Sequence, residues 1–199
     1  LFSIGANTVR FFNINFINGK INNANGGAIY ASGGALTVTN SSFINNEANG
    51  NSQTTGHGGA IYGTTITIVS SNFTSNTAKS SNTYGGYGGA VYGTNVNVMD
   101  SNFYNNYASG VGGGIRGSNI VTVTKSTFIN NTAKQPIQYE WVSGGGISSP
   151  NEIYASHSTF INNTAMARGG AIAARLKVDV LNCSFYNNTG SEGGAVDSQ

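Results

Sequence analysis

Along this chain, apolar residues come in pairs two apart, and each pair is followed five residues later by a phenylalanine. The pairs are Val9/Phe11, Leu36/Val38, Ile66/Ile68, Val96/Val98, Val121/Val123, Ile153/Ala155 and Val178/Val180. The phenylalanines are Phe16, Phe43, Phe73, Phe103, Phe128, Phe160 and Phe185. Polar residues alternate with the apolar ones, which is the period-2 pattern of a strand with one buried face. A second landmark, a Gly-Gly-Ala-Ile kind of tetrapeptide, ends at Ile29, Ile61, Val91, Ile115, Ile147, Ile172 and Val196, with Gly replacing Ala before Ile115 and Ile147. The two landmarks alternate strictly.

Their spacing is the main evidence for architecture. From each tetrapeptide to the next phenylalanine lie roughly 12–14 residues, whereas from phenylalanine to the next tetrapeptide the distance ranges over roughly 11–19. The repeat therefore has a rigid half and an elastic half, and insertions project from one edge of a stack. Registered on phenylalanine, further columns emerge. Two residues before it stand mostly serines, with Cys183 in the last copy; three after stand Asn46, Asn76, Asn106, Asn131, Asn163 and Asn188; five after stand mostly alanines.

Each unit is predicted to hold three short strands, at the tetrapeptide, at the apolar pair and around phenylalanine. The shortest units are too small for a βαβ crossover but suffice for a three-sided coil. The fold expected is all-β: a single-stranded, right-handed parallel β-helix of about seven coils, forming one domain over residues 1–199 and read as a fragment of a longer repeat protein. Stacking at strand spacing gives a rod of roughly 33 Å, with phenylalanine, isoleucine/valine and asparagine columns filling its interior.

Composition narrows the function. Charged residues make up 8% of the chain and the formal net charge is +2, so no clustered basic footprint for nucleic acid is expected. No apolar run approaches the roughly 20 residues of a spanning helix. With Cys183 as the only cysteine, no internal disulfide can form.

The landmarks, for example Gly58-Gly59-Ala60-Ile61 and Phe43-Ile44-Asn45-Asn46, resemble the repeat of chlamydial polymorphic outer membrane proteins. The pattern is also similar to Asn/Thr-rich adhesin-like proteins of methanogenic archaea. This resemblance implies an exported, extracellular or cell-surface protein acting in adhesion.

For catalysis, a β-helix enzyme would gather carboxylates on one strand face. Here Glu47, Asp100, Glu140, Glu152, Asp179, Glu192 and Asp197 fall in different columns or distant coils, so no catalytic residue is expected, nor any metal or cofactor. Arg168, Arg175 and Lys177 read as a solvated edge. His57 and His157 are expected at the surface, and Cys183 as an inert thiol in the serine column.

Binding is expected at two places. Tyr30, Tyr62 and Tyr92 follow the tetrapeptide in successive coils and Arg116 continues their column; this strip reads either as a self-stabilising ladder with a cation–π cap or as a platform for sugar rings. The insertions over 49–57, 79–87 and 134–143 are the other candidates, the third carrying Tyr139 and Trp141. Asn-x-Ser/Thr sequons at Asn72, Asn130, Asn162 and Asn187 are candidate glycosylation sites, the last three in one register. The expectation is a non-catalytic adhesin whose partner is a cell-surface carbohydrate or protein. End-to-end self-association into filaments and a polysaccharide lyase or hydrolase are the alternatives.

Overall fold

The computed structural model describes residues 2–5, 7–82, 84–134 and 142–198. Its strands pair in parallel into three sheets, and each turn of the chain visits all three. The described residues contain no helix, and so none long and apolar enough to cross a membrane. The molecule is a parallel β-solenoid. Seven strands make the phenylalanine sheet and six make the sheet that follows it, so the expected seven coils amount to about six complete three-sided turns.

Register is set by like residues. Phe16 pairs with Phe43, Phe43 with Phe73, Phe73 with Phe103, and the series runs on through Phe128 and Phe160 to Phe185. The rings stack at 4.6–5.1 Å between centroids, with interplanar angles of 0–12°. Isolated aromatic pairs favour offset or edge-to-face contact; here the strand spacing of about 4.8 Å imposes the face-to-face stack. At one end Phe16 meets Phe2 and Phe11 edge-on instead, at 5.8 and 5.3 Å.

Two features depart from the sequence reading. The tetrapeptide strand and the apolar-pair strand are one continuous strand in four coils, Ile29–Thr39, Ile61–Val69, Val91–Met99 and Ile115–Thr124. They join at a bend where the interior space a side chain would take at Gly63, Gly93 and Gly117 is already filled by Ile66, Val96 and Val121. Small differences in length between coils are absorbed at that bend, as register shifts between Ala31 and Ala35 and between Gly93 and Asn95. The third sheet is built instead by short runs after the buried asparagines, such as Thr77–Ser80 and Tyr107–Ala108.

The corners explain the composition. Three residues before each phenylalanine, and again two after it, the backbone enters the left-handed region, with φ of 48–59° from Asn13 and Asn18 through Asn182 and Asn187. Asparagine tolerates that conformation better than any other residue with a Cβ, and it fills most of these positions. The third corner is the first glycine of the tetrapeptide, as at Gly58 and Gly88 (φ 62° and 67°).

Polar ladders line the interior. Each buried asparagine accepts, through Oδ1, the backbone N–H of its counterpart one coil earlier and, where that counterpart is also asparagine, its side-chain N–H: Asn76 N and Nδ2 both donate to Asn106 Oδ1 at 3.0 Å. Its own Nδ2 donates to a phenylalanine carbonyl, as from Asn106 to Phe73. Serines repeat the scheme: Ser71 N donates to Ser101 Oγ, and Ser101 Oγ donates to the Met99 carbonyl. Every such amide and hydroxyl is buried and satisfied, the condition for polar groups in a dry interior.

Candidate functional site

The tyrosine column forms as the repeat requires. Tyr30, Tyr62 and Tyr92 are in register and stack at 5.2 Å with interplanar angles of 4–7°. Stacking turns the ring faces toward one another, so the internal rings present edges and hydroxyls outward. The strip is thus a ladder whose inner faces are already occupied, not a row of free platforms for sugar rings.

Arg116 occupies the next place in the column, opposite Tyr92, but it is only 5% exposed. Its Nη1 donates to Ser148 Oγ at 2.7 Å, and Ser148 in turn donates to the Val142 carbonyl. The expected exposed cation–π cap is therefore replaced by a covered guanidinium anchored on serine. Burial lowers its pKa to about 10, against the favourable influence of the Tyr92 and Tyr87 phenols, and it stays charged at neutral pH. Burial pushes Tyr87 up to about 12.

His57 departs from the expected surface position. It is 5% exposed and parallel to two rings, Tyr87 at 4.8 Å and Tyr92 at 5.0 Å. Tyr87 N–H donates to His57 Nδ1 at 3.2 Å, which leaves the proton on Nε2, donating to the Gln53 carbonyl at 2.9 Å. Burial, with the charge of Arg116 as a smaller influence, holds its pKa down to about 4 against the bond to Gln53. The folded pKa lies below the unfolded value of about 6.5, so the unfolded chain binds the extra proton first. Stability is complete above pH 6.5 and is lost as pH falls toward 4, by about 3 kcal/mol. Thermal melts between pH 6.5 and 4 should show this loss in the wild type and lack it in His57→Phe; equal pH slopes would refute it.

Beside these groups runs a groove of about 700 Å³, with walls from Gln53, Thr54, Tyr84, Tyr87, Tyr92 and Arg116. Two of the three insertions thus meet the end of the tyrosine column at one place. Tyr139 and Trp141 lie outside the described residues. Reading the sequence from phenylalanine hid the role of His57 and Tyr87. Registered on the tetrapeptide, both immediately precede its first glycine, one coil apart, and the column is visible in the sequence.

The remaining candidates are scattered. Glu47 pairs with Lys20 and Lys79 at 3.4 and 3.7 Å, Arg168 with Glu192 at 3.2 Å, and Lys177 with Asp179 at 3.7 Å. Lys177 also lies over the Tyr154 ring at 4.7 Å, and Arg175 is exposed. Among the described residues, no three His, Cys, Asp or Glu side chains come together as a metal site would need. Cys183, half-buried, takes serine's part in the ladder, accepting from Ser158 N and donating to the Leu181 carbonyl, both at 3.4 Å; burial raises its thiol pKa. Asn130, Asn162 and Asn187 stand exposed at left-handed corners. Asn72 is exposed on the phenylalanine sheet, where its Oδ1 accepts from Asn102 Nδ2 at 2.9 Å.

Against known proteins, two segments match the Chlamydia polymorphic membrane protein repeat, residues 40–64 and 157–175. Both begin at the left-handed corner three residues before phenylalanine and end three residues after the tetrapeptide, so each match follows the same part of a turn. No curated protein and no solved structure matches the chain. The chain is a parallel β-solenoid, two segments of which match the Chlamydia polymorphic membrane protein repeat.

Proposed function

We propose that this chain is a non-catalytic binding module of a cell-surface protein, and that the groove beside the tyrosine column holds a carbohydrate. The repeat it carries, named for membrane proteins, supports display at a surface. The groove itself carries the binding half of the reading. Its volume of about 700 Å³ fits a ligand of a few sugar rings. Its walls combine Tyr84 and the ring edges and hydroxyls of the stacked Tyr87 and Tyr92 with hydrogen-bonding groups on Gln53 and Thr54, the mixture that binds rings bearing hydroxyls. No Asp, Glu or His lines it among the described residues, so it offers no ordinary general acid or base for glycoside chemistry. That favours binding over cleavage.

The test is a glycan panel read by tyrosine fluorescence or calorimetry, on the wild type and on Tyr84→Ala. Tyr84 stands on an inserted segment, in the wall of the groove. Its truncation should weaken binding about tenfold or more, as loss of an aromatic wall does, and leave the β-sheet circular-dichroism spectrum unchanged. A panel with no ligand bound more tightly than about 1 mM would sink the reading, as would a Tyr84→Ala variant binding like the wild type. Release of unsaturated or reducing sugars would replace it with the enzyme alternative.

A further inference from the structure

We infer that the groove selects saccharides carrying a carboxylate, and that Arg116 is the residue that recognises it. This rests on the groove being a carbohydrate site and adds the class of sugar. The guanidinium carries five N–H donors in a planar fork. Ser148 takes one of them. Because the Ser148 proton is committed to the Val142 carbonyl, its oxygen can only accept, which fixes Arg116 in one orientation. No carboxylate lies within ion-pair distance of Arg116 among the described residues; the four ion pairs found there involve other cations.

A charge that is 95% buried and has no counter-ion among the described residues is costly unless a partner arrives. Nor does packing require it. The same column holds tyrosine in the preceding coils and Ser148 in the following one, so uncharged side chains fit the frame. In that column only Tyr92 and position 116 form walls of the groove, and position 116 alone brings a charge to it. A planar, immobilised, unpaired guanidinium facing a ligand-sized cavity fits a carboxylate, which can accept two parallel N–H bonds. Gln53 and Thr54, also in the walls, can serve the neutral hydroxyls of the same ring.

The decisive comparison uses hexagalacturonate and its fully methyl-esterified counterpart, which share a backbone and differ in charge. Calorimetry of the wild type in 0.15 M NaCl should show the acid binding about 30-fold or more tightly than the ester, the usual size of a desolvated charge pair. Arg116→Gln should bring the acid down to the ester's affinity and leave the ester unchanged. Equal affinities in the wild type overturn the inference while the carbohydrate reading stands; binding of neither sugar also overturns the inference, and the glycan panel then decides the carbohydrate reading separately. A preference for acid that survives Arg116→Gln overturns the assignment to Arg116. Should that variant fail to fold, the wild-type comparison still decides the ligand class, and Ser148→Ala should lower acid binding selectively if Arg116 is its receptor.

Discussion

Replacing Asn106 by leucine is expected to cost about 4 kcal/mol of stability, although leucine is nearly the same size and more apolar. The loss comes from the neighbours. Asn76 N–H and Asn76 Nδ2–H lose their common acceptor, and the Phe73 carbonyl loses its donor. Asn131 Oδ1 keeps only the backbone N–H of residue 106. Three buried groups are left without these partners in a region water does not reach, at about 1–3 kcal/mol each. Asn188→Leu supplies the internal control. Its position is half-buried, water can replace part of what is lost, and the cost should be less than half as large. Urea denaturation of both variants checks this; equal losses, or a loss at 106 below about 1 kcal/mol, would show that the ladder is an ornament of the fold and not a support.

Phe103→Ala should be comparably damaging, also by about 4 kcal/mol. The ring is fully buried and sandwiched between Phe73 and Phe128, both at 4.7 Å. Removing it leaves a cavity that neither neighbour can close, because hydrogen bonds on both sides hold the strands at a fixed spacing. Each coil contacts only those beside it, so the defect should divide the stack instead of weakening it uniformly. Hydrogen exchange should therefore show protection lost in the coils of Phe73 and Phe128 first. Uniform loss along the whole chain, or a stability change under about 1.5 kcal/mol, would contradict this account.

Much of this architecture was legible in the sequence because a solenoid writes each interior position many times over. The Phe column, the apolar pairs and the asparagine ladder all lie where the spacing puts them. The failures have physical reasons. Runs such as Gly63-Thr64-Thr65 have the composition of a turn, yet here they carry one strand around a bend. Strands as short as Tyr107–Ala108 are too brief to show a period. The aligned asparagines Asn130, Asn162 and Asn187 suggested sequons, but the backbone asks for asparagine there in any case, since φ is near 50°. At the groove, the sequence could place Arg116 and Tyr92 in one column. It could not show that the guanidinium is covered and anchored on Ser148, nor that His57 is enclosed, because both depend on what the inserted segments cover.

Those insertions leave the stack at a single corner, where the compact coils need only about three residues, Ser109 to Val111 or Met166 to Arg168. Lengthening a connection there costs little, about 0.6 kcal/mol for each doubling of its length, and touches neither the ladders nor the ring stack. The molecule is thereby divided into a frame that tolerates almost no editing and a rim that accepts new text. Chemistry at the rim can be rewritten one coil at a time, so different recognition surfaces can be assembled on one unchanged spine.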